Sequence, residues 1–208
     1  MNISQTILDN ILSNLEKRNM KGYFAENIPQ LIDLIKELIP ENSVIGCGDS
    51  ITLEEAELYS FFRNNNFLFL DKYKESLTKE EKRDIYIKNF SADTFISSAN
   101  AITEDGKIFN IDGNGSRVAP IIYGPKQVII VVGINKIVPD LDHAIHRARQ
   151  TAAPLDAVRL KKNTPCAKLG YCIDCRHPER ICNSFVAIEG QFIKNRIKVI
   201  IVDKNMGF

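Results

Sequence analysis

The chain contains no tryptophan, has only three histidines, and carries almost no net charge. Its 27 Lys and Arg side chains are balanced by 26 Asp and Glu, which leaves a formal charge of +1. So small a charge creates no field that attracts nucleic acid or an anionic membrane surface, so we expect no nucleic-acid partner. No apolar run reaches the ~20 residues that a bilayer-spanning helix needs. We therefore expect no membrane span.

The N-terminal twenty residues also lack the features of a secretory signal. They are amphipathic, are interrupted by Asp9 and Glu16, and contain neither a basic start nor an unbroken apolar stretch. These absences predict a cytoplasmic protein. In that compartment stable disulfides are rare, and clustered thiols indicate metal or redox chemistry.

Length and composition predict one globular domain over residues 1–208. The hydrophobic share of 44% and the charged share of 25% are ordinary for a soluble domain. Within it we expect an N-terminal helical segment over residues 1–40. We also expect a cysteine-rich, metal-binding segment over residues 163–183.

Strand-like and helix-like patterns alternate along the rest of the chain. The β-branched run "KQVIIVVGI" indicates a core strand that is covered on both faces. "TLEEAELYSFFRN" predicts one helix, and "PDLDHAIHRARQTAA" predicts another that Pro154 ends. Asp105 and Gly106 predict a hairpin turn. The fold class is thus α/β, with three layers, a largely parallel sheet, helices on both faces and a small β-hairpin element.

Three polar turns that contain or lead into glycine follow predicted strands: "GCGDS", "SSANAITEDG" and "GINK". In parallel sheets ligands bind beyond the carboxyl ends of the strands, which is where these turns lie. The first turn has the glycines and the helix start that an anion site uses. The alternative is an ordinary strand-to-helix turn capped by Asp49, Ser50 or Thr52.

The segment "SANAITEDGKIFNIDGNGSRVAP" carries more polar groups than its turns require. Arg117 is suited to clamp a carboxylate or phosphate, and Lys136 offers a second cation. The alternative is that these residues serve only as turns and solvated side chains. The predicted ligand-binding residues are Gly46, Gly48, Asp49, Ser50, Thr52, Asn100, Thr103, Glu104, Asp112, Gly113, Gly115, Ser116, Arg117, Asn135 and Lys136.

Four of the five cysteines occur within seventeen residues, at the spacing C-x5-C-x2-C-x6-C. Four thiolates can close a tetrahedral zinc site or hold an iron–sulfur cluster. Unligated thiols and a disulfide are the alternatives. Cys47 is separate and is interpreted as a small residue in a tight turn. The predicted metal ligands are Cys166, Cys172, Cys175 and Cys182.

Several motifs together resemble the LUD-domain family, the lactate-utilization C or YkgG-like group formerly called DUF162. They are "GCGDSITLEEAEL", "ADTFISSANAITEDGKIFNIDGNGSRVAPIIYGPKQVIIVVGINKIV", "HRARQTAAPLDAVRL" and "PCAKLGYCIDCRHPERIC". The resemblance implies a fold like that of glucosamine-phosphate deaminase, ribose-phosphate isomerase and CoA transferases. It also implies a link to the oxidation of lactate beside iron–sulfur partner proteins.

That redox setting slightly favours an iron–sulfur cluster over Zn²⁺ as the cofactor. This sequence departs from the shorter lactate-utilization C type by its four-cysteine segment, and has "NGSR" where a form closer to "GNR" is expected. The function that the resemblance implies is a metal-binding or iron–sulfur accessory component of organic-acid oxidation with a small anionic metabolite as ligand.

A second interpretation of the function also remains open. In it, the protein is an enzyme or binding protein for an anionic metabolite of the sugar-phosphate, CoA or folate type, with structural zinc. Both catalytic and purely binding roles are compatible with the residues. A homo-oligomer is among the assemblies that the sequence allows.

Overall fold

The computed structural model describes residues 3–208. The elements in chain order are α1 (Gln5–Lys17), β1 (Lys21–Ala25), α2 (Ile28–Leu38), β2 (Val44–Cys47), α3 (Ile51–Glu55), α4 (Leu58–Asn64), β3 (Leu68–Phe69), α5 (Lys79–Lys88), β4 (Thr94–Ser97), β5 (Ala101–Thr103), β6 (Ile108–Asp112), α6 (Val118–Ile122), β7 (Gln127–Gly133), β8 (Ile137–Val138), α7 (Leu141–Arg147), α8 (Ala153–Arg159), α9 (Pro165–Leu169), β9 (Ser184–Ile188) and β10 (Ile197–Val202). In this part of the chain no helix has the length and apolarity to cross a membrane.

A six-stranded sheet forms the centre, in the order β1-β10-β7-β4-β2-β3. Every neighbouring pair in it is parallel. Because parallel strands share one direction, their carboxyl ends all meet at one edge of the sheet. The predicted α/β class with a largely parallel sheet is confirmed.

The predicted hairpin belongs to a second, smaller sheet. Strands β5 and β6 pair antiparallel across the turn at Asp105 and Gly106, and Gly106 adopts a φ of +85° that suits glycine. The order of this sheet is β8-β5-β6-β9, with β8 parallel to β5 and β9 antiparallel to β6. The hairpin is therefore the centre of a four-stranded mixed sheet.

The central sheet is covered on both faces. One face packs on helices α2, α3 and α4 through side chains such as Leu31, Ile35 and Phe62. The other packs on helix α1 and on the small sheet, with Ile11, Leu15 and Ile102 in the interface. The far side of the small sheet packs on α7. Burial on both faces explains why β7 and β10 consist of unbroken β-branched runs.

Three local structures differ from the sequence predictions. Lys21–Ala25, within the expected N-terminal helical segment, forms an edge strand paired with β10. The single helix predicted after β2 is two helices, because Glu57 lies between them in the left-handed region with a φ of 56°. Pro154 does not end a helix, since it lies in the first turn of α8.

The chain reaches that proline through one π-helical stretch, Ala148–Ala152, between α7 and α8. A π-helical turn has hydrogen bonds from residue i to i+5 and so accommodates one extra residue. The chain can therefore stay helical past Pro154, which the sequence alone predicts to end the helix.

Candidate functional site

A cavity of ≈ 590 Å³ opens at the carboxyl edge of the central sheet. The turns after β2, β4 and β7 form its floor, as the positions of the three polar turns predict. Eight of the predicted ligand-binding residues border it: Asp49, Ser50, Asn100, Asp112, Gly113, Ser116, Arg117 and Lys136.

Four further predicted ligand-binding residues do not line the cavity themselves, but lie next to residues that line it or below its floor. A Cβ atom on Gly48 would lie 2.5 Å from Ser97 Oγ and 2.9 Å from Arg117 Cγ, so the glycine lets Arg117 pack against the strand end. Thr52 is fully buried below the cavity floor. Asn135 holds the C-terminal residues, accepting from the Met206 N–H and donating to the Gly207 carbonyl. Gly115 has a φ of +84° in the loop after β6, beside the lining residues.

The remaining predicted ligand residues lie away from the cavity. Gly46 is inside β2, where an added Cβ would meet the side chains of Asn89 and Phe95. Thr103 and Glu104 belong to the β5–β6 turn: the Thr103 hydroxyl bonds Asp105, and the Glu104 carbonyl accepts from Asn14. Their polar groups stabilise the hairpin. For these two residues the structure thus agrees with the alternative that this segment only forms turns.

The cavity is also lined by basic, acidic and aromatic residues that are not among the predicted ligand-binding residues: Lys72, Tyr86, Asp156, Arg159, Lys162, Arg180 and Phe208. One signal was available for Lys72, because it follows β3, the strand next to β2, at the same edge of the sheet. No pattern identified Arg159, which reaches the cavity from helix α8.

The wall of the cavity is basic. Six Lys and Arg side chains line it against four Asp and Glu. Arg159 pairs with Asp49 at 2.8 Å and with Asp156 at 2.6 Å, and Arg117 lies 3.8 Å from Asp112. The other four basic residues have no carboxylate within 4.0 Å in residues 3–208: Lys72, Lys136, Lys162 and Arg180. The unbalanced positive charge suits an anionic ligand.

Lys72 and Asp49 both line the cavity and interact electrostatically. Burial lowers the pKa of Lys72, whose amine lies 5.2 and 5.5 Å from the ring centres of Tyr73 and Tyr86. Burial acts to raise the pKa of Asp49, but Lys72 and Arg159 outweigh it, so this pKa lies below its usual value. Asp49 therefore stays ionised and fixes the Arg159 guanidinium.

The loop after β6 is organised by Asp112. Its carboxylate accepts hydrogen bonds from the backbone N–H groups of Asn114, Gly115, Arg117 and Val118. The Arg117 guanidinium in turn donates to the Ile111 carbonyl at 2.5 Å and to Asn100 Oδ1 at 3.2 Å. Arg117 is thereby held in one position on the cavity wall, which is the pre-organisation that tight anion binding needs.

The four clustered cysteines border one small cavity of ≈ 20 Å³ beside the large one. All are free thiols. The Arg149 guanidinium lies 3.8 Å from Cys172 Sγ, and the Asp174 N–H points to the same sulfur at 3.4 Å. No three of the described His, Cys, Asp and Glu side chains are grouped closely enough to hold a metal ion as they stand.

The two cavities share a wall. Ala153, Arg180 and Ile181 border both of them. Arg180 donates to the carbonyl of Cys175 at 2.6 Å and to that of Cys182 at 2.9 Å. The cysteine-rich segment is therefore one side of the basic cavity, and its conformation sets the position of a basic residue there.

Cys47 differs from the other four thiols. It is buried at the end of β2, and burial raises the pKa of the Cys47 thiol to about 12. A thiol of this pKa stays protonated at neutral pH and is a poor nucleophile. This agrees with its interpretation as a small residue before a turn.

Gly133, at the end of β7, allows the C-terminal residues to pack against the cavity floor. A Cβ there would meet the Lys204 carbonyl, and would lie 2.7 Å from the Met206 nitrogen. We expect Gly133→Ala to lower the free energy of unfolding by about 1–3 kcal/mol, the usual cost of overpacking. Urea-induced unfolding of the variant and the wild type measures this loss of unfolding free energy. Gly113→Ala, whose Cβ would have ordinary contacts at 3.5 Å, is the control and should change stability little; equal losses in the two variants would contradict the explanation.

Fold and cavity together define the class: a three-layer α/β protein with a parallel sheet and a basic cavity at its carboxyl edge. The sequence matches the model of the LUD domain over residues 8–202, so the chain belongs to the LUD-domain family.

A crystal structure of a DUF162 family protein from Deinococcus radiodurans has a similar fold. The two chains are 13% identical, the similarity covers 97% of this chain and 99% of that one, and the TM-score is 0.53. At this identity the likeness concerns the fold alone. No curated protein matches the sequence.

Proposed function

We propose that this protein binds a small anionic metabolite in the basic cavity and acts as an accessory component of organic-acid oxidation. The observation that carries the proposal is the set of basic cavity side chains with no carboxylate within 4.0 Å in residues 3–208, with Lys72 buried among them. A buried cation without a partner is costly, and a bound carboxylate or phosphate removes that cost. The family's association with lactate utilization supplies the class of metabolite.

The four-thiol cluster is proposed as a metal site beside that ligand. Its support is chemical: four thiols border one cavity, with Arg149 and a backbone N–H next to Cys172. A tetrahedral zinc would close the segment, whereas an iron–sulfur cluster would carry electrons. The volume of ≈ 20 Å³ suits a single ion better than a cluster. Either occupant requires the thiols to draw closer together.

Oxidation of a 2-hydroxy acid to a 2-oxo acid releases two electrons and two protons. In the proposed role the electrons pass to an iron–sulfur partner protein, and this chain holds the acid. The wall that the two cavities share at Arg180 supports this role, because an acid bound in the large cavity would lie beside the thiol cluster.

The size of the cavity favours a second candidate. Cavities of roughly 300–1,000 Å³ accommodate drug-sized molecules, and lactate is far smaller than ≈ 590 Å³. A sugar phosphate, a CoA portion or a folate fills such a space better. In this alternative the chain is a binding protein or enzyme for that metabolite, and zinc is structural.

The test is a thermal-denaturation screen with lactate, pyruvate, inorganic phosphate, sugar phosphates, CoA and folate. A ligand at about 100 times its Kd should raise Tm by roughly 5–10 °C for a domain of this size. Lys72→Met should abolish most of that rise, because it removes a buried cavity cation while preserving side-chain length.

Lys198→Met is the matched control. Lys198 is half-buried, lies in β10, and donates hydrogen bonds to the Gln127 side chain and the Asn195 carbonyl, away from the cavity. Its replacement should leave the ligand response intact. Lactate as the strongest ligand would support organic-acid oxidation, and a sugar phosphate, CoA or folate would support the alternative. If no anion raises Tm, the proposed function is wrong.

A further inference from the structure

Lys136 lies in an unusual position for a lysine. It is the last residue of the short turn Ile134–Lys136 after β7, a central strand, and is only 4% exposed. It also lines the basic cavity. It therefore lies at the carboxyl edge of the sheet, where ligands of parallel sheets bind.

The amine has two hydrogen-bond partners, and both are hydroxyl groups that accept from it. Thr52 Oγ1 lies 2.8 Å from Lys136 Nζ, and Ser98 Oγ lies 3.2 Å away. The two hydroxyls direct their own hydrogens elsewhere, Thr52 to the Met206 carbonyl and Ser98 to Thr52 Oγ1 or the Ala99 carbonyl. A neutral amine has two N–H bonds and one lone pair. The two acceptors use both N–H bonds and leave the lone pair free.

A protonated amine would fit this position less well. It would have a third N–H without an acceptor in residues 3–208, and no carboxylate lies within 4.0 Å to balance it. The charged groups around it are Arg147 and Arg117, which oppose protonation, and Glu55 and Asp156, which favour it. Burial is the largest influence and lowers the pKa of Lys136 to about 7.

We infer that Lys136 is a nucleophilic amine that forms an imine with an anionic ligand carrying a carbonyl group, such as a 2-oxo acid or a phosphorylated aldehyde. Nζ attacks the carbonyl carbon and forms a C–N bond, while the carbonyl oxygen takes a proton and becomes a hydroxyl group. Loss of the amine's protons and departure of that hydroxyl as water give the imine, with no net oxidation. Lys72 and Arg117 bind the acidic group of the ligand.

This inference rests on the proposed function in one respect, since it needs the basic cavity to bind an anion. It departs from the sequence-based role of Lys136 as a second cation. A cationic lysine would bind lactate and pyruvate alike, because both carry one carboxylate. A nucleophilic lysine distinguishes them, because only pyruvate has a carbonyl group to react.

The experiment is reductive trapping of the full chain at neutral pH. The protein is incubated with sodium cyanoborohydride and either pyruvate or pyridoxal 5′-phosphate, and the modified peptide is located by mass spectrometry. We expect one adduct per chain at Lys136 with at least one of the two probes, and none with lactate. The Lys198→Met variant should give the same yield as the wild type.

Lys136→Arg is the decisive variant, since arginine keeps a long basic side chain but cannot form an imine. Its trapping should fall to the background of surface lysines, at least tenfold below the wild type. Ser98→Ala, which removes one of the two acceptors but no lysine, should reduce the trapping rate without removing the adduct.

Two results would overturn the inference: trapping at other lysines only, or no trapping with either carbonyl probe. If either occurs while lactate or phosphate still raises Tm, the proposed function stands and Lys136 acts as a cation. If neither carbonyl nor non-carbonyl anions bind, the proposed function fails as well.

Discussion

Replacing Lys136 by methionine should stabilise the fold most at and below pH 7, and progressively less as the pH rises. Burial lowers the pKa of this lysine from 10.5 to about 7 in the folded protein. Between these two pH values the unfolded chain binds a proton that the folded chain does not, so the wild type gains stability as the pH rises. The variant lacks this gain. The difference in unfolding free energy between the two should therefore shrink by up to about 1.4 kcal/mol per pH unit in this window.

Urea unfolding of both proteins at several values between pH 6 and 10 measures the difference. Other titrating groups are common to both chains and cancel in the comparison. Lys136→Leu should follow the same profile, which separates the lost amine from any change in packing. A difference that does not vary with pH would show that the amine is charged in the folded protein, and would weaken the nucleophile assignment.

Replacing two of the clustered cysteines by serine, in the double variant Cys172→Ser and Cys175→Ser, should abolish metal binding. The wild type, purified without oxygen, is expected to contain one metal site per chain, and removal of half the thiolate donors leaves too few ligands for either occupant. Metal analysis and acid-labile sulfide decide the occupant. Zinc without sulfide marks a structural ion, whereas iron with sulfide and visible absorbance marks a cluster.

Cys47→Ala is the control for this measurement. Cys47 is buried at the end of β2, outside the small cavity, so its removal should leave the metal content unchanged. Removal of the metal by a chelator should also lower the affinity of the basic cavity for its anion, because Arg180 is held by carbonyl groups of the cysteine-rich segment. A wild-type protein free of metal after anaerobic purification would contradict the metal site.

Much of the fold could be predicted because it depends on patterns that repeat along the chain. The β-branched run of β7, the periodic apolar face of α2 and the Asp–Gly turn each reflect a local rule of burial or backbone geometry. The errors arose where a long-range contact outweighs such a rule. Lys21–Ala25 is a strand because β10, far along the chain, offers it an edge to pair with.

The site could be predicted only in part, for a related reason. Asp49, Asn100 and Lys136 follow parallel strands, and the parallel arrangement brings their turns to one edge of the sheet. Arg159 and Arg180 come from a helix and from the cysteine-rich segment, and no spacing in the sequence relates them to those turns. Thr103 and Glu104 were predicted to bind the ligand, but tertiary packing places them away from the cavity. Their polar groups stabilise the hairpin instead.

Residue type and spacing alone were enough to predict the α/β class, the four-cysteine segment, the LUD-family resemblance and the strand ends that border the basic cavity. The tertiary structure decided which charges are left without partners, how deeply Lys136 is buried, and that the thiol cluster and the basic cavity share a wall. Burial and pairing are properties of the surroundings of a side chain. Those surroundings exist only when segments distant in the chain, such as Thr52, Ser98 and Lys136, are brought together by folding.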